Sequence, residues 1–600
     1  MNCSSNHLAI RLSCHAPAFT GFSVDSLGKG QLDCNPVLDR SSHAGIPGLS
    51  LGADLTYTLH GHTAWSVQCD ERLIMLRSEH VPGMEIPPFR LVLNQKINHA
   101  TLLGLMEPGD RRMSFPCVLH MPGMGSLRIT CSQPGVKLGY DARRWVAPTP
   151  FVEIAFQQAS AACPRIEYRM EVVAIHPSLP VHAEKPLYDG FRRDWLSIFQ
   201  INPRLQMLAN NASSDACAFT LFEYSEMALY TPPLADRLSC HDLIRMTLDR
   251  YLAGQLGYGQ VGYAANGASG RPCEPSGADL NPWGTAWASL DTLPSLLIAA
   301  CNYSKGTGDA SWARANFEAL AAWGHEMWAT DRNGNGLVEY PGTGNRGDRP
   351  TRERRPSNWW DTINFGHEDA FSNALVYRAT TLFAALARQL GRERDADLFS
   401  GRAAKLRAAY VPTFLNPETG VLAGWKSADG QLHDYWFTYV QGLAIASGLV
   451  DDALANDILD RIFAKMHEVG FDRFTIGLPG NLIPVEKGDY IDHEGPPEEF
   501  GIPQRDDGSD GFQYYENGGA SGCWVYYTLK ALYDLGRVED ARRILYPMLE
   551  GYAAGAFQGF GENGRSRDWR DWSGGCHGYE GLLVDNYLTL LAVLDDVRVP

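Results

Sequence analysis

Two hydrophobic periods divide the chain. Before about residue 185, apolar and polar positions alternate in short runs: Leu73-Ile-Met-Leu-Arg77, Phe89-Arg-Leu-Val-Leu93, Leu127-Arg-Ile-Thr130 and Ile166-Glu-Tyr-Arg-Met-Glu-Val-Val173. A period of two puts every second side chain on one face of a strand. Turn dipeptides separate the runs: Pro82-Gly83, Pro108-Gly109, Pro122-Gly123 and Pro134-Gly135. This spacing predicts an antiparallel β-sandwich over residues 1–185. Nothing in it carries a catalytic pattern. From about residue 190 the period lengthens to that of a helix. Phe371, Leu375, Leu382 and Leu386 share one face, as do Phe399, Ala403, Leu406 and Tyr410.

The helices come in hairpins joined by short turns: Gly306-Thr-Gly-Asp309, Gly391-Arg-Glu-Arg-Asp395, Gly448-Leu-Val-Asp451 and Gly536-Arg-Val-Glu-Asp540. In each, Gly can end one helix and the following Asp can start the next. The turns are spaced too unevenly for a tandem solenoid. The extra length falls in segments 331–365, 469–517 and 555–577, which hold most of the Trp, Tyr, Asp and Glu of interest. With the short turns at one end of the helices, those segments gather at the other. Function placed on long loops over a rigid scaffold has this form. About ten to twelve helices fit between 190 and 600. The expected fold is therefore multidomain: the sandwich, a linker with the first barrel helices over 186–255, and an (α/α)6 toroid over 256–600.

Composition narrows the function. Six hundred residues exceed one hydrophobic core, and 44% hydrophobic with 20% charged residues fits a soluble protein. A net charge of −17 argues against a nucleic-acid partner. No apolar run approaches the ~20 residues that span a bilayer, so no membrane partner is expected. Met1-Asn-Cys-Ser-Ser-Asn6 lacks a basic stretch followed by an apolar core, so no secretory signal is predicted. Thirteen cysteines, an odd number without CxxC pairing, read as reduced and buried thiols of a cytoplasmic protein. Oligomeric state leaves no mark on the sequence.

The chemistry concentrates near the middle of the chain. Asp331-Arg-Asn-Gly-Asn-Gly-Leu-Val-Glu339 is followed by Asn358-Trp-Trp-Asp361 and then by a helical pattern opening at Gly366. Tryptophan faces stack on sugar rings, and a carboxyl group between them can protonate a glycosidic oxygen. Desolvation by Trp359 and Trp360 would raise the pKa of Asp361, as a neutral-pH acid needs. As a helix N-cap, Asp361 would sit five residues too early. The chain holds no Walker loop, Rossmann glycine pattern, His-Glu-x-x-His or Gly-x-Ser-x-Gly.

The run Asn358-Trp-Trp-Asp361-Thr-Ile-Asn-Phe-Gly366-His-Glu-Asp-Ala-Phe-Ser-Asn373 resembles the acid-bearing segment of the (α/α)6-barrel glycosidases. These include glucoamylases, family 63 α-glucosidases and family 116 β-glucosidases. Asn335-Gly-Leu-Val-Glu339 and Trp360-Asp361-Thr362 match the "Gly-Leu-x-Glu" and aromatic-Asp-Thr steps of the last group. A β-sandwich before the barrel also matches. The resemblance implies that Asp361 is the general acid. It also implies that the partner carboxylate precedes the last barrel helix, Gly578–Leu591, which makes Glu562 the positional match, beside Asp568 and Asp571. Glu516, in Tyr514-Tyr-Glu-Asn-Gly-Gly519 ahead of a helix over Cys523–Leu535, ranks second. A separation of about 5–5.5 Å between the two carboxyl groups would mean retention of configuration, and about 6.5–9.5 Å inversion.

Trp359, Trp360, Trp287, Trp436, Tyr515, Trp569, His577 and Glu339 are the candidate substrate-binding residues. Each aromatic taken alone also suits core packing. Asp331, Asn333, Asn335, Leu337 and Glu339 carry the oxygen spacing of a calcium loop. Gly342 stands where the bidentate Glu would be, and a plain Asn-Gly turn gives the same pattern. No cofactor is required, and structural calcium is the one metal reading. Arg346, Arg349, Arg352, Arg354 and Arg355 form a solvated basic loop or an anion contact. The expected activity is cleavage of a terminal glycosidic bond in a short oligosaccharide or glycoside. The rivals are a disaccharide phosphorylase on the same barrel, a polysaccharide lyase using Tyr579 or His577, and a non-catalytic carbohydrate-binding scaffold.

Overall fold

The computed structural model describes the chain except residues 1, 41–44, 105–110, 144–148, 176–194, 197–200, 203–206, 209–220, 231–238, 253–264, 267–270, 273–289, 341, 346–356, 359, 361–362, 487, 491–510, 558–568, 578–587 and 600. The alternating runs are strands. Leu73–Glu79 and Arg165–Val173 pair antiparallel, with Ile74 opposite Met170 and Leu76 opposite Tyr168, all four buried. They sit within an eight-stranded sheet in the order Leu49–Leu51, Thr56–Leu59, His62–Cys69, Leu73–Glu79, Arg165–Val173, Gly125–Cys131, Cys117–Met121, Thr101–Leu103. A four-stranded sheet runs Arg112–Met113, Leu138–Arg143, Phe151–Phe156, Phe89–Asn94. Both sheets feed one core: Trp65, Leu76 and Tyr168 from the first meet Phe89, Ile154 and Phe156 from the second. Phe89 lies edge-on to Trp65 at 5.5 Å, and Phe156 to Tyr168 at 5.1 Å. Gly83, Gly123 and Gly135 take left-handed conformations in the expected turns.

Eleven α-helices follow among the described residues: α1 Leu221–Glu226, α2 Cys240–Leu252, α3 Thr292–Thr307, α4 Ala310–Trp328, α5 Ala370–Gln389, α6 Glu393–Phe414, α7 Thr438–Ala446, α8 Asp452–Glu468, α9 Tyr526–Asp534, α10 Val538–Ala553 and α11 Ala592–Arg598. They fall into two kinds. From Thr292 to Ser304 every residue of α3 is buried, as is every residue of α7 before its last. Helices buried all round belong inside. In α6 and α8 a single stripe is buried, Phe399, Ala403, Leu406 and Tyr410 in the first, and Ala455, Ile458, Leu459, Ile462 and Met466 in the second. Inner helices pack in succession, α1 on α3, α3 on α5, α5 on α7, α7 on α9 and α9 on α11. The row returns on itself, because the Tyr230 hydroxyl just after α1 donates to Asp595 of α11 at 2.8 Å.

The short turns form as expected, with a difference. Gly308, Gly391, Gly448 and Gly536 are all left-handed. Asp309 caps α4 and Asp451 caps α8, each accepting from backbone N–H groups. At the other two turns Arg392 and Arg537 occupy the cap position. Their acidic neighbours fall in the first turn, where they favour the helix dipole instead. Helix α5 starts at Ala370, not Gly366. Gly366 has φ +139°, and Glu368–Asp369 pair as a strand with Trp425–Lys426. Helix α9 likewise starts at Tyr526 rather than Cys523. Between the regions, the Thr101 hydroxyl donates to the Ile201 carbonyl at 3.0 Å, and Leu103 and Val118 join the core of the helical part.

Candidate active site

The three long segments meet. Ile363 of the first pairs with Tyr490 of the second, and Asn364 N–H donates to the Asp489 carbonyl at 2.7 Å. The second and third share an antiparallel sheet in the order Leu478–Pro479, Ala520–Ser521, Trp569–Arg570, Cys576–His577. The Trp572 indole N–H donates to the Gly518 carbonyl at 2.6 Å. All three lie where inner helices begin, at the end away from the four short turns.

Asp361 and Trp359 lie outside the described residues, as do Thr362, Trp287, Glu562 and Asp568; the described residues to either side are tied by hydrogen bonds. Ser357 N–H donates to the Phe365 carbonyl at 3.2 Å, and Leu290 N–H to the Ser357 carbonyl at 2.7 Å. The Asn358 side-chain oxygen accepts from Trp360 N–H at 2.9 Å. The Asn358 amide donates to Asp369 at 2.8 Å, and Ser357 and Ser372 hydroxyls donate to the same carboxylate oxygen at 2.7 and 2.6 Å. The other Asp369 oxygen accepts from Ser372 N–H at 3.2 Å, capping α5. Burial pushes the Asp369 carboxyl above its ordinary value, against the pull of those donors. The Asn358 amide and Ser372 N–H can only donate, and with the two hydroxyls donating as well the ionised form satisfies all four.

Trp360 is not an open platform. It is fully buried, with Trp524 at 4.5 Å, Phe365 at 5.3 Å, Phe437 at 5.5 Å and Tyr439 at 5.6 Å round its ring. The stacking expectation for Trp360 gives way to a wall, because four aromatics already cover it. The backbone of Glu516, a fully buried residue, comes near it. Gly480 separates the two: its Cβ position is 3.4 Å from the Trp360 ring and 3.4 Å from the Glu516 carbonyl. Gln513 and Tyr515, next to Glu516, have φ of +66° and +46°. Such backbone outliers are held only where surroundings over-determine them. Tyr515 lies 6.5 Å from Trp569, which packs edge-on against Tyr514 at 4.5 Å. Trp436, with φ +59°, stacks under Lys465 of α8 at 5.3 Å. His577 pairs with Trp569 in the sheet.

Residues 277–482 match the family described as the bacterial alpha-L-rhamnosidase 6 hairpin glycosidase domain. Over these residues the chain is similar to a six-hairpin glycosidase domain. The expected resemblance to (α/α)6-barrel glycoside hydrolases stands on this match. No curated protein matches the chain. Among solved structures, it is similar to a GH63 mannosylglycerate hydrolase from Thermus thermophilus, at 14% identity and TM-score 0.42, over 68% of this chain and 98% of that one. It is also similar to a rhamnosidase from Klebsiella oxytoca with rhamnose bound, at 10% identity and TM-score 0.42, over 86% and 90%. An alpha-L-rhamnosidase from Dictyoglumus thermophilum gives 12% and 0.41, over 98% and 57%.

Two further features bear on the site. The 331–339 loop is closed by its own groups. Asn333 accepts from Asn335 N–H and Asn335 from Leu337 N–H, both at 2.8 Å, and the Asn335 amide donates to Glu368 at 2.5 Å. Asp331 accepts from Gly336 N–H at 3.4 Å and has the Lys405 ammonium at 3.9 Å. Among the described residues, no group of three or more His, Cys, Asp or Glu is placed to hold a metal ion. Glu339 is buried beside His367, whose Nε2 lies 3.8 Å away. Burial raises the Glu339 carboxyl above its ordinary value, with His367 lowering it and Glu368 raising it.

The second feature escaped the sequence reading. His433 stacks on Trp425 at 4.6 Å, and its Nδ1 meets Asp489 at 2.7 Å. The Tyr435 hydroxyl donates to the same Asp489 oxygen at 2.7 Å. His433 therefore supports the backbone beside Asn364. Asp489 lies far along the chain, so no local pattern marks it. Asp369 had a signal: Asp369-Ala-Phe-Ser372 is an N-cap sequence at the head of a small-residue helix.

Proposed function

We propose that the chain is a glycoside hydrolase that removes a terminal sugar from a short oligosaccharide or glycoside with two carboxylates. Its helices form an (α/α)6 toroid behind an N-terminal sandwich. Asp361 protonates the leaving oxygen, and Glu516 activates water or attacks the anomeric carbon. The observation that carries this reading is the meeting at Gly480, where the Trp360 ring and Glu516 backbone flank one residue. It favours Glu516 over Glu562 as the partner, because Glu516 comes from a segment joined directly to the one that bears Asp361. Strain at Gln513 and Tyr515 supports the same choice.

The substrate class to try first is α-L-rhamnosides, after the description of the matched domain. The purified protein is assayed on a panel of aryl and alkyl glycosides headed by them. Free sugar released without added phosphate supports hydrolysis, and a sugar 1-phosphate formed only with phosphate would replace it by a phosphorylase. Asp361→Asn should lower the rate on alkyl glycosides by roughly 10²–10⁴-fold. An activated aryl glycoside, whose phenolate leaves unaided, should suffer least. Full activity of Asp361→Asn on an alkyl glycoside would end the assignment.

A further inference from the structure

We infer that Asp369 is a positioning residue for the proton donor, acting through the side-chain amide of Asn358. This rests on the reading of Asp361 as the general acid. Asp369 is fully buried, and its carboxylate takes four donors: the Ser357 and Ser372 hydroxyls, the Asn358 amide and Ser372 N–H. An N-cap needs only the last of these. The Ser357 and Asn358 bonds tie the cap to the residues just before the acid.

The bonds also have a direction. An ionised carboxylate only accepts, so Asn358 must turn its NH₂ group toward Asp369. Its oxygen is then left facing the other way, where it accepts from Trp360 N–H at 2.9 Å. The residue before Asp361 is thus held by a relay that starts on α5. On the far side, Ile363 and Asn364 are fixed by Tyr490 and by the Asp489 carbonyl. Two residues, 361 and 362, lie between these anchors. The buried Asp489 side chain, braced by His433 and Tyr435, holds the far anchor as Asp369 holds the near one.

Asp451 provides the contrast. It caps α8 at the short-turn end by accepting from Leu454 N–H at 3.0 Å, a bond that stays within its own turn. Capping alone therefore does not require what Asp369 does. Asp369→Asn keeps shape and a capping oxygen. It replaces an acceptor by an NH₂ group that faces donors, and frees the Asn358 amide to flip.

The test is made on the full chain, with alkyl and activated aryl glycosides of one sugar. Asp369→Asn should lower kcat on the alkyl substrate by on the order of 10²-fold, the effect of a small misplacement of a catalytic group. KM should hold, and the aryl substrate should be spared. Asn358→Ala should give the same split and serves as the second variant if Asp369→Asn folds poorly. Asp451→Asn should leave both rates unchanged. Combined with Asp361→Asn, Asp369→Asn should cost nothing further. A wild-type rate for both Asp369→Asn and Asn358→Ala beside a slow Asp361→Asn overturns this inference and spares the acid. Equal loss on both substrates, or additive loss in the double variant, also overturns it. A fully active Asp361→Asn overturns the acid assignment itself, and the positioning role with it.

Discussion

The two ends of the helical region solve opposite problems. At the short-turn end, four glycines turn the chain in left-handed conformations, and a Cβ added at Gly308, Gly391, Gly448 or Gly536 would meet nothing within 4 Å. These turns have open space around them and demand only backbone freedom. At the other end Ser357, Asn358, Asp369, His433, Asp489, Glu516 and Asn517 are all buried. Asn517, for example, accepts from both the Asn481 amide and Val485 N–H. A turn held by one glycine can change without touching its neighbours. A buried polar group cannot, because each partner it loses leaves another unsatisfied. Stability at the first end is local, and geometry at the second is shared among segments far apart in sequence.

Three experiments sharpen that contrast. The largest effect is expected from Glu516→Gln at the polar end. It should abolish most turnover on every glycoside, aryl included, by about 10²-fold or more, since a base or nucleophile serves all leaving groups. Near-wild-type rates in Glu516→Gln, with loss in Glu562→Gln, would move the partner role to Glu562. Gly448→Ala at the short-turn end should do the reverse. It forces a side chain into a left-handed residue at a cost of about 1–2 kcal/mol, which a denaturation midpoint would show. Its kcat should stay unchanged, and a loss of activity would break the division between the ends. The smallest effect concerns the 331–339 loop. The Asp331, Asn333 and Asn335 side-chain oxygens already serve N–H groups and Lys405, so adding chelator should leave the melting temperature where it was. A fall on chelation, with metal found by elemental analysis, would establish structural calcium instead, since a ligand of the native state stabilises it.

Local periodicity made the scaffold readable. The stripe Phe399, Ala403, Leu406, Tyr410 is buried as its spacing predicts, and Leu73–Glu79 alternates as a half-buried strand does. Leu382 of α5 is only partly buried beside Phe371, Leu375 and Leu386. The site was legible in its segments but not in its side chains. Trp360 beside an acidic residue looks the same on paper whether its face is open or covered by Trp524, which is remote in the chain. The start of α5 depended on the pairing of Glu368–Asp369 with Trp425–Lys426, another distant partner. Asp489 acquires its role only through His433 and Tyr435. Each of these was hidden for one reason: the deciding contact is non-local.

The hydroxyl of Tyr230 on Asp595 joins residues 365 positions apart. Arg598 adds its guanidinium over the Tyr230 ring at 4.7 Å. During synthesis the helices from α1 to α10 emerge in order, and each can settle on those before it. Helix α11, which carries Asp595 and Arg598, leaves the ribosome only after all of these. Until then Tyr230 has Tyr526 of α9 beside it, at 3.1 Å between hydroxyls, but lacks Asp595 and Arg598, and the growing chain presents that part of α1's surroundings to chaperones and to other nascent chains. The two ends of the row of inner helices join only once α11 is made, so a ribosome that stalls before it leaves that contact unformed.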